Sequence, residues 1–355
     1  MESKLIRTKR YTGEKSGACM SRPAVSILVV TYRHARFVDA CLDSILAQTC
    51  TDFETIIVDD ASDDGTPERI ARWLLQNEFQ ANFIRNPTGR GLCANLNMAL
   101  AAARGEFICY LSGDDAFMPE RIERQLAAFG KATDDTAVFY SDAALVGSDG
   151  LDLGLSFLRD KLGDGARPSG DVFRKLLLED NFLPVPAVMV RRAAIDSVGS
   201  YDESLCFEDL YMWLKLSHRF RFEFLPGCVA RYRVHENNMS RTAASRPAMI
   251  ESSFRALSAW SGKCGDADPA LSERLWYLAM KQLLIGDPNA ARRMMPVIAG
   301  TSVNMRRQVA ARLTGLPGGC SVVRLLSRAY AGVRGGASRG GIGRNSATPS
   351  ELEQA

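Results

Sequence analysis

The chain has 355 residues, 46% of them hydrophobic and 24% charged, with a formal net charge of +3. These proportions are those of a soluble globular protein with room for one large domain and an appendage, and no stretch is apolar for long enough to suggest a membrane-spanning helix. So small a net charge gives no reason to expect a nucleic-acid partner. The nine cysteines show no C-x-x-C pair, and Cys41, Cys109, Cys206 and Cys228 sit inside apolar runs. They read as buried thiols in a reducing compartment. The segment Met1 to Gly17 is polar and basic without the apolar core of a signal peptide, so the expected location is the cytoplasm.

Residues 1–22 read as a flexible N-terminal segment. Val25 to Val30 is a continuous apolar, β-rich run, as expected of a strand covered on both faces. Phe37, Cys41, Leu42, Ile45 and Leu46 then recur at helical spacing. Thr55 to Val58 is a second strand, about one βαβ unit after the first. Thr66-Pro67-Glu68 predicts a helix start with threonine as the cap. Asn82–Ile84 is a third strand, Cys93–Ala103 a helix and Phe107–Leu111 a fourth strand. Pro119 opens a helix through Phe129, and Ala137–Ser141 is a fifth strand. This alternation predicts an α/β fold with a doubly wound, mostly parallel sheet.

Residues 148–170, rich in glycine, aspartate and serine, read as a mobile loop. Beyond them the pattern predicts a helix over Asp171–Leu178 and a strand over Ala187–Arg191. A short helix follows over Asp209–Ser217, then strands over Phe220–Leu225 and Val229–Val234. From 245 to 331 the periodicity is helical: Ile250–Trp260, Pro269–Leu284, Asn289–Ile298 and Val303–Leu313. Residues 334–355 read as a disordered Gly/Ser/Arg-rich tail.

The chemistry concentrates in acidic pairs at strand ends. Asp114-Asp115 follows Phe107–Leu111 through Ser112-Gly113, and Asp59-Asp60 follows Ile56-Ile57-Val58. Open α/β sheets bind ligands at the carboxyl edge. Adjacent carboxylates repel, so a divalent cation with its diphosphate is a natural companion. No G-x-G-x-x-G follows the first strand and no G-x-x-x-x-G-K-[ST] occurs, which argues against dinucleotide and P-loop enzymes.

Taken in order, several motifs resemble a family 2 glycosyltransferase of the GT-A fold over about residues 23–240. They are Pro23-Ala24-Val25-Ser26-Ile27 through Thr31-Tyr32; Ser44–Thr49; Val58-Asp59-Asp60-Ala61-Ser62-Asp63-Asp64-Gly65-Thr66; Gly113-Asp114-Asp115; Glu208-Asp209; and Tyr232-Arg233-Val234-His235-Glu236-Asn237-Asn238-Met239-Ser240. The resemblance implies a GT-A domain at 23–240 with a helical C-terminal region at 241–333. It also implies an inverting transfer from a nucleotide-sugar, in first place a UDP-sugar, to a hydroxyl of a glycan or lipid-linked acceptor in cell-surface polysaccharide or glycolipid synthesis.

The resemblance also implies residue roles. Asp115 would ligate Mg²⁺ or Mn²⁺, and Asp114 would approach the ribose or a metal-bound water; the plain alternative for Asp114 is a turn cap. Asp60 would accept from the base, with Asp59 supporting its turn. Thr31 and Tyr32 would line the base site, and Tyr32 could also be rim packing. Arg90 would contact base or phosphate, or stay a solvated loop arginine. Asp209 would be the general base, although a helix N-terminus should lower its pKa. Glu208 would help place the acceptor or be solvated. His235 would hold metal or diphosphate, or be structural. Arg231 and Arg233 would pair with phosphate or face water, and Asp63-Asp64-Gly65 belongs to the turn. The sequence assigns no role to His34 or His218. Ala61 stands where the family often has glycine, which predicts no positive φ there.

Val322, Val323, Leu325, Leu326 and Tyr330, among nearby arginines, could form a basic amphipathic helix giving peripheral membrane contact, or a helix packed on the sheet. Two other readings compete with the transferase. One is a non-catalytic nucleotide- or glycan-binding protein keeping the fold. The other is a nucleotidyltransferase, but Thr31-Tyr32-Arg33-His34 lacks the glycine-rich loop that it would need.

Overall fold

The computed structural model describes residues 22–239, 241–285 and 287–300, and positions 314, 321 and 323. The chain divides into two compact units at His235/Glu236. The first is an α/β unit around one nine-stranded sheet. β1 (Val25–Thr31), β2 (Phe53–Asp59), β3 (Asn82–Arg85) and β4 (Phe107–Ser112) form its parallel part, in the order β3-β2-β1-β4. Every residue of β1 is buried, which is why its sequence shows no polar alternation. The helices α1 (Val38–Leu46), α2 (Thr66–Gln76) and α3 (Leu92–Ala102) make the crossovers. α1 lays Val38, Cys41, Leu42 and Ile45 into the core, and α2 adds Ile70 and Trp73. The indole Nε1 of Trp73 donates to Asp43 Oδ1 at 2.7 Å, so the ring is buried without losing its hydrogen bond.

Beyond β4 the sheet is mixed. β5 (Ala116–Phe117), β6 (Thr136–Val146), β7 (Asp152–Ser156), β8 (Val188–Arg191) and β9 (Arg221–Arg233) complete it. β8 lies antiparallel between β4 and β6, and β9 runs parallel to β6. α4 (Arg121–Phe129) packs Phe129 against Phe107 and Phe139, at ring centroid distances of 4.4 and 4.7 Å. Pro119 lies just before this helix rather than in it. α5 (Phe157–Leu162), α6 (Phe173–Leu178), α7 (Arg192–Val198) and α8 (Asp209–Ser217) complete the unit.

Three sequence expectations change. The segment 148–170 is not a bare loop: it holds β7 and α5, the alternation Leu151, Leu153, Leu155 having been masked by its glycines and aspartates. The two late strands are one, β9, whose register against β6 slips between Tyr140↔Phe224 and Asp142↔Cys228. Pro226-Gly227 sits at that irregularity, with Gly227 at φ 97°. α2 is capped not by Thr66 but from Asp64, whose Oδ1 accepts the Thr66 N–H at 3.1 Å while Gly65 turns at φ 88°.

The second unit is helical. α9 (Arg246–Ser258), α10 (Asp268–Leu284) and α11 (Pro288–Ala299) bury Phe254, Leu257, Leu271, Leu275 and Met294. Asp287 caps α11 through the Ala290 N–H at 3.0 Å, and Arg293 pairs with Glu251 at 2.8 Å. These helices match the periodicity read from residue 245 on. The helix expected over Val303–Leu313 lies outside the described residues, as does the basic amphipathic stretch except Val323, which is buried. Among the described residues no helix is long and apolar enough to cross a membrane.

Candidate active site

Parallel register builds the site. Thr31 of β1 pairs with Asp59 of β2, and Val30 pairs with Ser112 of β4. The residues that follow β2 and β4 therefore leave the sheet at one edge. They are two strand spacings apart, about 10 Å.

On the β2 side, Asp59 is buried and organises the turn. Its Oδ1 accepts the hydroxyls of Thr31 at 2.9 Å and Ser62 at 2.7 Å, and its Oδ2 accepts the Ser62 N–H at 2.9 Å. These bonds hold Ala61 between them at φ 58°. The expectation of no positive φ at Ala61 is thus wrong. The left-handed conformation costs an L-residue about 1–2 kcal/mol, and the Asp59 bonds impose it. The neighbouring Asp60 accepts the backbone N–H of Arg90 at 2.7 Å and of Gly91 at 3.0 Å. Arg90 thus reaches Asp60 through its main chain, and its guanidinium makes no hydrogen bond or ion pair with the described residues.

Tyr32 projects from the edge, 50% exposed, with the Arg33 guanidinium 5.2 Å from its ring. Arg33, itself at φ 57°, is fixed by two bonds to Asp63 of 2.7 Å. Asp63 and Asp64 are turn residues, as expected, and Asp64 Oδ2 also accepts the Ala35 N–H at 3.1 Å.

On the β4 side, Gly113 is required by close packing. A Cβ there would lie 2.6 Å from Thr31 Cγ2 and 2.8 Å from His34 Nδ1. Asp114 Oδ2 lies 3.0 Å from His235 Nε2 and 3.7 Å from His34 Nε2. Burial opposes ionisation of Asp114, but the His235 hydrogen bond and the flanking His34 outweigh it and bring its pKa to about 2. An ionised Asp114 needs a donor, so His235 presents Nε2–H to it. The His235 ring also packs on Phe37 at 4.8 Å. Metal ligation through Nε2 would require giving up the Asp114 bond.

Asp115 is pushed well above the usual carboxylate range, first by burial and then by the charge on Asp114. Its Oδ1 accepts the Arg233 N–H at 2.8 Å. Its Oδ2 accepts nothing from the described residues. Among these residues no three His, Cys, Asp or Glu side chains form a closed metal cage. One open, hard oxygen donor beside a second carboxylate does fit Mg²⁺ or Mn²⁺, whose remaining ligands would be water and phosphate. Arg233 does not face water. It is buried, donating through Nε to Asp114 O at 2.8 Å and through Nη1 to Gly147 O at 3.1 Å. Arg231 is exposed.

The third acidic group opens α8. Asp209 Oδ2 accepts from Asn181 Nδ2 at 2.6 Å, and Oδ1 accepts the Leu210 N–H at 2.5 Å. The helix N-terminus was expected to lower the pKa of Asp209. Burial wins instead, and the pKa rises to about 6. Glu208, the residue before the helix, rises to about 8, first through burial and then through Asp209. Burial is the main cause of the rise at the Tyr110 hydroxyl, and Glu208, when ionised, adds to it and to the rise at Asp115, so the acids of β4 and α8 share one field.

Several contributors escaped the sequence reading. His34 was given no role, yet it flanks Asp114. Asn181 bonds Asp209. On α3, Asn97 donates to Tyr201 O at 3.0 Å and accepts the Tyr201 N–H at 2.9 Å, which pins the loop leading to Glu208. Nothing in local spacing marks these contacts, which join residues 28 to 104 positions apart. His218 packs on Phe173 with ring centroids 4.9 Å apart and the planes tilted by 55°, outside the acidic cluster. A separate cavity of about 640 Å³, lined by Arg124, Lys131, Phe139 and Leu225 among others, contains none of the site carboxylates.

Comparison with known proteins agrees with this geometry. Residues 26–196 match the model of Glycosyl transferase family 2. An uncharacterised glycosyltransferase of Methanocaldococcus jannaschii is 26% identical over 230 residues, covering 62% of this chain and 75% of that protein. The O-antigen biosynthesis glycosyltransferase WbnJ of Escherichia coli is 23% identical over 62% of this chain and 83% of its own length.

The crystal structure of S. aureus TarS in complex with UDP-GlcNAc superposes with a TM-score of 0.60 at 18% identity, covering 86% of this chain and 92% of that one. The mannosyltransferase PcManGT from Pyrobaculum calidifontis, in complex with GDP-Man and Mn²⁺, gives 0.54 at 18% identity, with coverages of 87% and 89%. The α/β unit is therefore a GT-A fold. Residues 26–196 thus carry a family 2 glycosyltransferase domain, and the protein is a glycosyltransferase.

Proposed function

We propose that the protein transfers a sugar from a nucleotide-sugar, with a UDP-sugar the first candidate, to an acceptor hydroxyl with inversion at the anomeric carbon. The acceptor would be a glycan or lipid-linked glycan in cell-surface polysaccharide or glycolipid assembly, the work taking place in the cytoplasm or at the inner membrane face. What supports this reading is that Asp60 and Asp114-Asp115 leave the sheet at one edge, and that Glu208, next to Asp209, is near enough to Asp115 to add to the rise of its pKa.

In this reading Tyr32 offers its exposed ring to the base. Asp60, with the Asp59–Thr31 brace behind it, accepts from the base using lone pairs left over from Arg90 N and Gly91 N. The guanidinium of Arg90, with no described partner, is available to base or phosphate. Asp114, kept ionised, approaches the ribose. Asp115 would hold Mg²⁺ or Mn²⁺, with His235 joining it only by giving up its Asp114 bond, and the bound cation would neutralise charge on the diphosphate leaving group. Asp209 takes the acceptor proton as the hydroxyl attacks from the face opposite the diphosphate. Glu208, whose pKa of about 8 leaves it mostly protonated at neutral pH, can donate a hydrogen bond that places the acceptor.

The test is nucleotide release from a panel of UDP- and GDP-sugars with and without Mn²⁺, with thermal shift reporting binding. The expected result is cation-dependent release that is lost in Asp115→Ala, and nucleotide binding without transfer in Asp209→Asn. Nucleotide binding with no release from any donor would refute the transferase assignment of these residues, and full activity in Asp209→Asn would remove its role as base.

A further inference from the structure

Asp209 is held by a side chain that belongs to none of the acidic motifs. Asn181 follows α6, 28 residues before Asp209, and its amide is not free to turn over. Its Oδ1 accepts the Leu183 N–H at 3.0 Å, closing a tight local turn. Because Oδ1 is thereby committed, the NH₂ group must face the other way, and there it meets Asp209 Oδ2 at 2.6 Å. The backbone N–H of Asn181 donates to its neighbour Asp180 at 2.8 Å, fixing the base of the turn. The other Asp209 oxygen is taken by Leu210 N–H. The carboxylate is thus gripped at both oxygens, and only its remaining lone pairs can receive a proton from an acceptor.

We propose that Asn181 is a positioning residue for the transfer, its amide fixing the Asp209 carboxylate and favouring the ionised form. The inference rests on the reading of Asp209 as general base. The titratable groups around Asp209 are Glu208 on its own segment, Asp180 beside Asn181, Cys93 on α3 and Tyr201 on the preceding loop. The Asp180 charge raises Asp209, whereas Leu210 N–H and the Asn181 amide work against that rise. Among the described residues, Asn181 is therefore the one side chain whose hydrogen bond opposes the loss of the base to protonation.

The experiment is a pH titration of the full chain labelled with ¹³C-carboxyl aspartate, in wild type, Asn181→Ser and Asn181→Asp, with Asp209→Asn identifying the Asp209 resonance. Serine can keep the Leu183 N–H bond but is too short to reach Asp209. A hydrogen bond to a charged group of this kind is worth about one pH unit, so the Asp209 midpoint should rise by about that much in Asn181→Ser and by more in Asn181→Asp. The thermal midpoint and UDP binding with Mn²⁺ should stay near wild type. With a competent donor, the acid limb of the kcat profile should move by the same amount while donor KM holds.

Superimposable titrations of wild type and Asn181→Ser would overturn the proposal, as would equal shifts of every aspartate together with a lowered thermal midpoint, which mark general loosening. If Asp209→Asn transfers sugar at the wild-type rate, the base assignment fails and takes this inference with it. If Asp209→Asn is inactive while Asn181→Ser neither shifts nor slows, the inference alone fails.

Discussion

Replacing Asp209 by asparagine should make the α/β unit more stable as the pH rises, while removing transfer. Burial raises the Asp209 carboxyl from its ordinary 3.8 to about 6. A folded-state pKa above the unfolded one means that the unfolded chain loses its proton first as pH increases. Stability is then greatest below about 3.8, declines across the window up to about 6, and stays low above it. The step from 3.8 to about 6 corresponds to about 3 kcal/mol at full burial. The side chain is partly exposed, so about 2 kcal/mol is the figure expected after screening.

Asparagine cannot ionise and removes this penalty. It also sets an NH₂ group against the Asn181 amide, a pH-independent loss of about 1–2 kcal/mol. The decisive quantity is therefore the slope. Urea unfolding followed by tryptophan fluorescence at several pH values between 4 and 8 should show the variant gaining about 2 kcal/mol on wild type across that range. A difference that stays flat with pH would refute the burial argument for Asp209, whatever its sign. An acid that costs stability at the pH where the proposed transfer needs it ionised is the expected trade-off.

Three further perturbations test other parts of the site. The kcat profile should rise through about pH 6 as the Glu208–Asp209 pair gives up its first proton, and fall beyond about 8 if the acceptor needs neutral Glu208; the two midpoints belong to the pair. A profile flat from pH 5 to 7 would exclude Asp209 as the titrating base. Asp59→Ala removes three hydrogen bonds from a buried carboxylate and should cost about 2–4 kcal/mol, with weaker UDP binding because Ala61 is no longer held left-handed. An unchanged thermal midpoint would rule out the brace. Gly113→Ala places a methyl 2.6 Å from Thr31 Cγ2, a side chain that Asp59 already fixes, so overpacking should cost about 1–3 kcal/mol. Cation-dependent nucleotide binding should weaken with it as His34 is pushed from Asp114. Wild-type stability in this variant would mean that the His34 side of the turn yields freely.

What could be read from the sequence was what local patterns encode. The buried strands β1, β2 and β4 announced themselves as apolar runs, and α8 was placed at its observed bounds because Leu210, Trp213 and Leu214 share a face. Composition misled over 148–170, where Asp and Gly surround the leucines of β7. Propensity misled at Ala61, where a tertiary brace overrides the residue's own preference. The sign at Asp209 was misjudged because a helix terminus can be seen in sequence but burial cannot. Asp59, Asp60, Asp114, Asp115, Glu208 and Asp209 could be picked out as adjacent pairs. Asn181, Asn97 and His34 could not, because each acts through a contact that exists only once the chain has folded.

The helix α3 shows how such contacts set the site's dimensions. Successive residues on a helix are 100° apart and rise 1.5 Å, so Asn95 and Asn97 lie about 200° apart around the axis and only about 3 Å along it. They face nearly opposite ways. Asn95 donates to Gly91 O at 2.9 Å and accepts from Asn86 at 2.5 Å, holding the loop whose N–H groups seat on Asp60. Asn97 grips Tyr201 on the other side, and Cys93 Sγ reaches Phe207 O at 3.4 Å, just before Glu208. One short helix thus fixes both the loop seated on Asp60 and the loop bearing the proposed base. This explains why a largely buried helix keeps two asparagines, each of which would cost stability if left unpaired. Under the proposed roles, the donor-side Asp60 and the acceptor-side Asp209 are therefore positioned by contacts from the same element.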